Sequence, residues 1–374
     1  MKKIIDSAHW QEATKLAQIG NHTDNQTGAI STPIYLSTTY AHPELGQSTG
    51  FDYTRTANPT RQVVEQALAQ LEHGRYGFAT SSGMSAIQLV FELFPCSSHF
   101  LVSRDVYGGS YRYFNDLEKK GSCHFTYFDT LAELEYLIDT ETAAVFLETP
   151  TNPLMNELDI TAASVIAKEY EALLIVDNTF LTPILQKPLT LGADIVVHSA
   201  TKFLGGHNDL LAGAVITDSD FLGEKLAFAL NTTGAVLSPF DSWLLIRGLK
   251  TLSLRVKQQQ ENAQALVAVL KQAPQIKEVL YPEQGSMISL KLQTAEQIPA
   301  FLAALNLFTF AESLGGVESL VTYPTTQTHA DIPKELRESY GLTDDLLRLS
   351  IGIEAVEDLI EDIQQALKKS QLTK

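Results

Sequence analysis

A lysine, two hydroxyls and a glycine pair follow directly on a short apolar run in Asp194-Ile195-Val196-Val197-His198-Ser199-Ala200-Thr201-Lys202-Phe203-Leu204-Gly205-Gly206. Ile195 to Val197 is β-branched and strand-like, so Ser199, Thr201 and Lys202 emerge at a carboxyl end. Open α/β sheets bind their ligands there, in the crevice beyond the strand ends. An amine in that crevice is a candidate nucleophile toward a carbonyl. Asp177 ends the run Leu173-Leu174-Ile175-Val176 in the same way, 202 − 177 = 25 positions earlier, and offers a carboxylate. Ser81-Ser82-Gly83-Met84-Ser85 separates a strand-like run from a helix-like one. Gly83 permits close backbone approach there, and a helix start favours an anion through its free N–H groups and dipole. Tyr107, ahead of Gly108 and Gly109, offers a flat face, and Tyr53 and Arg55 add a hydroxyl and a guanidinium suited to phosphate.

Amine, anion hole, carboxylate and stacking face are together what pyridoxal 5'-phosphate requires of a protein. The expectation is that Lys202 carries this cofactor as a Schiff base, with Asp177 keeping the ring nitrogen protonated through its opposite charge. Each piece also has a plainer reading. Asp177 suits an Asx turn, the Gly83 turn resembles many that bind nothing, and tyrosines such as Tyr107 usually pack in cores. His198 and His207, with Asp209, match no zinc spacing, and no metal is expected. A dinucleotide enzyme is disfavoured because no Gly-x-Gly-x-x-Gly follows the first strand. A non-catalytic ligand-binding protein of the same architecture has no use for such a lysine.

The elements that must position these residues alternate along the chain. Strand-like Tyr76–Thr80, Phe100–Ser103, Phe125–Phe128, Ala144–Leu147, Leu173–Val176 and Ile195–Val197 are interleaved with helix-like Ser85–Phe94, Ser110–Lys120, Leu131–Ile138 and Thr161–Tyr170; Ala214–Thr217 is a further strand. Such alternation predicts an α/β fold with a mostly parallel sheet covered on both faces. A helix is expected from Thr60, as N-cap, to Leu71, with Gly74 as C-cap. Helical periodicity from Ser242 to about Gln272 leads into mixed strands and helices, hence a smaller α+β C-terminal domain. The expected division is an extended arm over residues 1–53, a cofactor domain over 54–250 and a C-terminal domain over 251–374.

With 27 basic and 44 acidic residues among 374, the formal charge of −17 disfavours nucleic acid and anionic membranes as partners. Two cysteines, Cys96 and Cys123, suit a reducing cytoplasm. No apolar run approaches the ~18 residues of a membrane span, and Asp6 and His9 interrupt any secretion signal at the start.

Together the motifs resemble the cysteine and methionine metabolism, or trans-sulfuration, family of pyridoxal phosphate enzymes. Those motifs are Asp194–Gly206, Tyr53-Thr54-Arg55, Ser82–Ser85, Tyr107-Gly108-Gly109, Glu148-Thr149-Pro150-Thr151-Asn152-Pro153, Val176–Thr179, Ala311-Glu312-Ser313-Leu314-Gly315-Gly316 and Arg348-Leu349-Ser350. The resemblance implies the fold-type I, aspartate-aminotransferase-like architecture. It implies Lys202 as Schiff-base lysine and acid/base, and Tyr107 stacking on the ring and helping to move protons. Asp177 would hold the ring nitrogen, with Thr179 beside it. Gly83, Met84, Ser199 and Thr201 would bind the phosphate, joined by Tyr53 and Arg55 from an adjacent subunit of a homotetramer of active dimers. Arg348, with Asn152 and Ser313, would clamp the substrate carboxylate, and Glu312 and Arg112 would complete the substrate site. Within the family, the segments Gly205–Gly213 and Gly234–Trp243 are similar to the short bacterial cystathionine γ-synthases that also act as O-acetylhomoserine thiol-lyases. Gly109 stands where methionine γ-lyases have a cysteine, and Thr56 where succinyl-using synthases have a second arginine. The implied activity is therefore γ-replacement on an O-acyl-homoserine, O-acetyl by preference, with cysteine or another thiol, in methionine biosynthesis. Elimination by a cystathionine β- or γ-lyase is the alternative.

Overall fold

In the computed structural model, which describes residues 10–371, seven strands form the main sheet. They are β1 (Tyr76–Thr80), β2 (Ser98–Ser103), β3 (Cys123–Phe128), β4 (Thr142–Glu148), β5 (Leu173–Asp177), β6 (Ile195–His198) and β7 (Gly213–Thr217). The expectation that Met1–His9 holds no secretion signal lies outside those residues. Strand order is β1-β7-β6-β5-β4-β2-β3, and β7 alone runs against its neighbours. Thr80, Ser103, Glu148, Asp177 and His198 therefore end at one edge of the sheet.

Apolar residues on successive positions point to opposite faces, as the two-residue period of a strand requires. Phe100, Phe146, Ile175, Val197 and Val215 pack on one face, and Leu101, Val145, Val176, Val196 and Ile216 on the other. Both faces are buried, hence the near-continuous apolar runs. On the first face, Phe100, Phe114, Phe125 and Phe146 pack ring against ring, with Phe114 and Phe125 stacked at 4.9 Å. That cluster seats the helix that Tyr107 precedes.

Helix α1 (Glu12–Ala17) is followed by a long stretch with little regular structure; Ile30, Leu36 and Leu45 on it are exposed. Helix α2 (Pro59–Glu72) starts two residues earlier than expected. Asn58, not Thr60, is its N-cap, accepting hydrogen bonds from the Thr60 and Arg61 N–H groups, and Pro59 occupies the first turn where a missing N–H does no harm. His73, in the left-handed conformation, ends it ahead of Gly74. Helices α3 (Gly83–Phe91) and α4 (Gly108–Lys119) follow β1 and β2.

The helical stretch expected from Ser242 to Gln272 is two helices, Pro239–Leu249 and Leu252–Leu270, separated at Lys250-Thr251. Beyond it lies a second sheet of β8 (Ile276–Leu280), β9 (Met287–Leu292), β10 (Thr309–Phe310), β11 (Leu320–Thr322) and β12 (Leu346–Ser350), in the order β10-β11-β12-β9-β8. Leu347, Leu349 and Ile351 pack into this unit's own core with the Ile298–Ala304 and Val356–Ser370 helices. By alternation, Arg348 and Ser350 face the other way.

Candidate active site

The residues between β6 and β7 are fixed locally before any ligand is considered. The Ser199 N–H donates to Thr179 Oγ1 at 2.8 Å, and the Thr201 N–H and hydroxyl both donate to the Ala212 carbonyl, at 3.0 and 3.1 Å. Arg255, buried on the Leu252–Leu270 helix, donates to the Phe203 and Gly248 carbonyls at 2.8 and 2.9 Å. Lys202 is thus held from both sides, and its Nζ donates to Ser313 Oγ at 3.1 Å. Ser313 itself sits at φ 123°, a conformation uncommon for a residue with a Cβ and one that persists only where surroundings enforce it. Burial, the Arg348 charge and a smaller opposing contribution from Glu312 bring the Lys202 amine down to about 8. More of it is neutral near physiological pH than of a solvated lysine.

Asp177 forms the Asx turn and also reaches the cavity. Its Oδ1 accepts the Thr179 N–H at 3.0 Å and the Thr179 hydroxyl at 2.6 Å, an Asx turn, and its carboxylate also lines the cavity that Lys202 enters. Burial raises its pKa and the Thr179 hydrogen bonds oppose that rise. Ser82 caps α3 through the Ser85 N–H at 3.0 Å. A Cβ on Gly83 would lie 2.7 Å from Ser199 Cβ, so glycine is what lets the start of α3 meet the lysine loop. Tyr107 is placed by its backbone, whose N–H donates to Glu148 Oε2 at 2.8 Å. A Cβ on Gly109 would collide with the Tyr107 ring, so a cysteine there would displace the ring from this position.

The second sheet supplies the opposite wall. Arg348 is 2 % exposed; its Nη1 donates to Asn152 Oδ1 at 2.8 Å, and its Nη2 donates to the Ser313 carbonyl and to Thr322 Oγ1 at 3.2 Å each. His329, kept neutral by a burial-driven fall to about 3, donates from Nε2 to the Asn152 carbonyl at 2.9 Å.

These walls enclose a cavity of about 160 Å³. Of the residues expected at the site, Gly83, Met84, Tyr107, Asn152, Asp177, Thr179, Ser199, Thr201, Lys202, Glu312, Ser313 and Arg348 line it together. Three do not. Arg55 is turned to the carbonyl and side chain of Asn231 and Tyr53 is half exposed, both off the cavity wall. Arg112 is exposed and paired with Asp331 at 2.7 Å. Sequence reasoning missed Glu148, Thr328 and His198 as lining residues, and His329 behind them. Only Glu148 carried a signal, an acid at the carboxyl end of a strand as Asp177 is.

A pyridoxal phosphate fits what is present. An amine, a carboxylate, an aromatic face, a helix start and two hydroxyls converge, and Arg348 Nε, buried with no partner among the described residues, leaves a donor for an anionic substrate. Fold and site together define a pyridoxal-phosphate enzyme of fold-type I. The model of the Cys/Met metabolism PLP-dependent enzyme family matches residues 13–368, and the chain belongs to that family. A Bacillus subtilis cystathionine gamma-synthase/O-acetylhomoserine (thiol)-lyase is 58% identical over 356 residues, 95% of each chain. A Haemophilus influenzae cystathionine gamma-synthase is 53% identical over 94% of this chain and 96% of its own. The structure of a Lactobacillus plantarum cystathionine gamma-lyase complexed with L-serine superposes with a TM-score of 0.94 at 41% identity, covering 96% of this chain and 99% of that one. Family membership removes the dinucleotide and non-catalytic readings.

Proposed function

We propose that this enzyme catalyses γ-replacement on an O-acyl-homoserine, O-acetyl-homoserine by preference, with cysteine or another thiol. Acetate leaves the γ-carbon, the thiol sulfur bonds to it, and cystathionine or homocysteine results. The observation that carries this reading is one cavity holding the Lys202 amine, the Asp177 carboxylate and the Arg348 guanidinium. Likeness to the Bacillus relative selects the reaction within that chemistry.

When bound, pyridoxal phosphate supplies the electron sink that stabilises negative charge at the substrate's α-carbon. Lys202 would hold the cofactor covalently, and its Nζ, lowered toward neutrality, would serve as the base that takes the substrate's α-proton and moves the β-proton. Ser313 Oγ, already 3.1 Å from Nζ, orients it. Asp177, oriented by Thr179, would hold the proton of the ring nitrogen, Gly83, Met84, Ser199 and Thr201 would take the phosphate, and Tyr107 would stack on the ring. Arg348, with Asn152 and Ser313, binds the α-carboxylate, while Glu312 faces the substrate side chain. Arg112, close enough to Tyr107 to bear on its hydroxyl, is a weaker contact at the rim. Thr56 in place of a second arginine favours the acetyl over a dicarboxylic acyl chain.

The arm belongs to a homotetramer in this proposal. Exposed Ile30, Leu36 and Leu45, and the position of Tyr53 and Arg55 off their own chain's cavity, suit a role in a neighbouring subunit's phosphate site. The division at 53 and 250, and a cytoplasmic location suited to two free cysteines, belong to the same reading.

Supplying purified enzyme with O-acetyl-homoserine and cysteine tests it. Cystathionine and acetate in equal amounts are expected. Pyruvate or 2-oxobutyrate from cystathionine, with no replacement product, assigns the chain instead to the lyases, the reading favoured by its likeness to the Lactobacillus structure.

A further inference from the structure

Glu148 is the last residue of β4, and the register of the parallel β4–β5 pair sets it directly opposite Asp177. Both side chains lie on the face that carries Phe146 and Ile175, and both are buried, at 5 % and 9 % exposed. Two carboxyls in adjacent positions of a buried strand pair cannot both ionise without strong repulsion, so one keeps its proton.

The surroundings decide which. Asp177 accepts two hydrogen bonds from Thr179, which favour its anionic form against the rise that burial imposes. Glu148 accepts one hydrogen bond, from the Tyr107 N–H, and among the described residues no lysine, arginine or histidine pairs with it. The charged groups bearing on Glu148 are Asp177 on β5, Asp105 on the segment after β2 and Arg348 on β12. Two of the three are acids, and Arg348 directs its donors to Asn152, Ser313 and Thr322. Burial first and Asp177 second push the Glu148 carboxyl well above the usual range. Oε1 makes no hydrogen bond to any described residue, and the side chain lines the cavity.

We propose that Glu148 serves the cofactor cavity as an uncharged carboxylic acid: Oε2 accepts the Tyr107 N–H and so positions the tyrosine, while a protonated Oε1 presents an O–H donor beside the ionised Asp177. This rests on the cavity holding pyridoxal phosphate, and it assigns Glu148 a neutral role that a glutamine can reproduce. The amide oxygen can accept from Tyr107 and the amide NH2 can donate where the O–H did.

The test uses cofactor binding by the apoenzyme, followed by absorbance, and infrared spectra of the holoenzyme at neutral pH. Glu148→Gln is expected to keep cofactor affinity within about threefold, and Glu148→Ala to weaken it roughly tenfold or more. The wild-type minus E148Q spectrum should contain the carbonyl stretch of a protonated carboxylic acid; Asp105 is present in both proteins and cancels. The inference is overturned if E148Q loosens the cofactor as much as E148A, or if the difference spectrum shows a carboxylate band instead. Should E148A not fold, the infrared difference decides alone. A wild-type apoenzyme that takes up no pyridoxal phosphate would break the reading of the cavity itself, a distinct outcome.

Discussion

The two sheets contribute to the site in different ways. The large sheet presents side chains just past its strand ends: Asp177 closes β5, Glu148 closes β4, and Lys202 lies four residues beyond the end of β6. Each is anchored by hydrogen bonds within its own turn or to the adjacent loop. The small sheet delivers Arg348 from the middle of a strand, with Leu347 and Leu349 in the core on either side of it. Turns let groups converge on one ligand from several directions. A strand interior gives a single side chain a direction that nothing local can relax. The groups assigned to the cofactor come mainly from the first kind of support, and Arg348, assigned to the substrate carboxylate, from the second.

Variants on the two sides should therefore separate. Lys202→Ala removes the covalent anchor and the base together; the cofactor absorbance of the purified protein should change and turnover fall by roughly 10³-fold or more. Arg348→Ala should leave cofactor absorbance in place and lower kcat/KM by roughly 10²-fold or more, mostly through KM, since a buried guanidinium hydrogen-bonded to its ligand is worth several kcal/mol. Loss of cofactor from the Arg348 variant at wild-type affinity conditions would erase the distinction between the sheets.

Beneath the large sheet's edge, His198 on the cavity wall is itself held from behind. The Nε2–H of His198 donates to Glu72 Oε1 at 2.6 Å, and Asn178 Nδ2 donates to the same oxygen at 2.9 Å; Glu72 and His198 are both fully buried. They tie α2 to β6 and to the turn after Asp177. Glu72→Ala strands two buried donors and should lower stability by about 3 kcal/mol, read as a fall in the denaturant midpoint. A change below ~1 kcal/mol would mean that the strand ends are held without this tie.

Much of the cofactor side was legible in the chain because its chemistry is local. Apolar run, then lysine or aspartate, places a side chain at a sheet edge without knowledge of what packs across it. The Gly83 turn is similarly self-contained. Arg348, Ser313 and Asn152 come together across 196 positions through the packing of β12 against the large unit, and no spacing encodes that; the resemblance to known enzymes supplied them. His198 and His329 were unreadable for the same reason, since their partners Glu72 and Asn152 lie 126 and 177 residues away. The break at Lys250-Thr251 was missed because helical periodicity continues in phase across it. Tyr53 and Arg55 form the reverse case, named by likeness yet not brought to the cavity of their own chain.

The two sides also meet in one titration. Arg348 is one of the groups that hold the Lys202 amine down to about 8. A positive neighbour disfavours the charged amine, so the neutral form appears as pH rises through that value rather than near 10.5. Because the neutral amine is the form that bonds an aldehyde, the rate of cofactor uptake by apoenzyme should rise with pH around a midpoint near 8. In Arg348→Ala the midpoint should move up, toward the unperturbed lysine. An unmoved midpoint would assign the shift to burial alone.

Arg112 provides the smallest expected effect. It is exposed, paired with exposed Asp331, and lies outside the cavity wall. A surface pair of this kind contributes little to folding, so Arg112→Ala should leave stability and cofactor absorbance unchanged. Any effect should fall on KM, as roughly a threefold rise, because a solvent-screened guanidinium at the rim attracts an anionic substrate weakly compared with desolvated Arg348. That rise should shrink at high ionic strength, whereas the Arg348 effect should persist. A loss of kcat/KM in R112A as large as in R348A would mean that Arg112 leaves Asp331 to clamp the substrate, and that α4 at the sheet edge shares the work assigned to the strand interior.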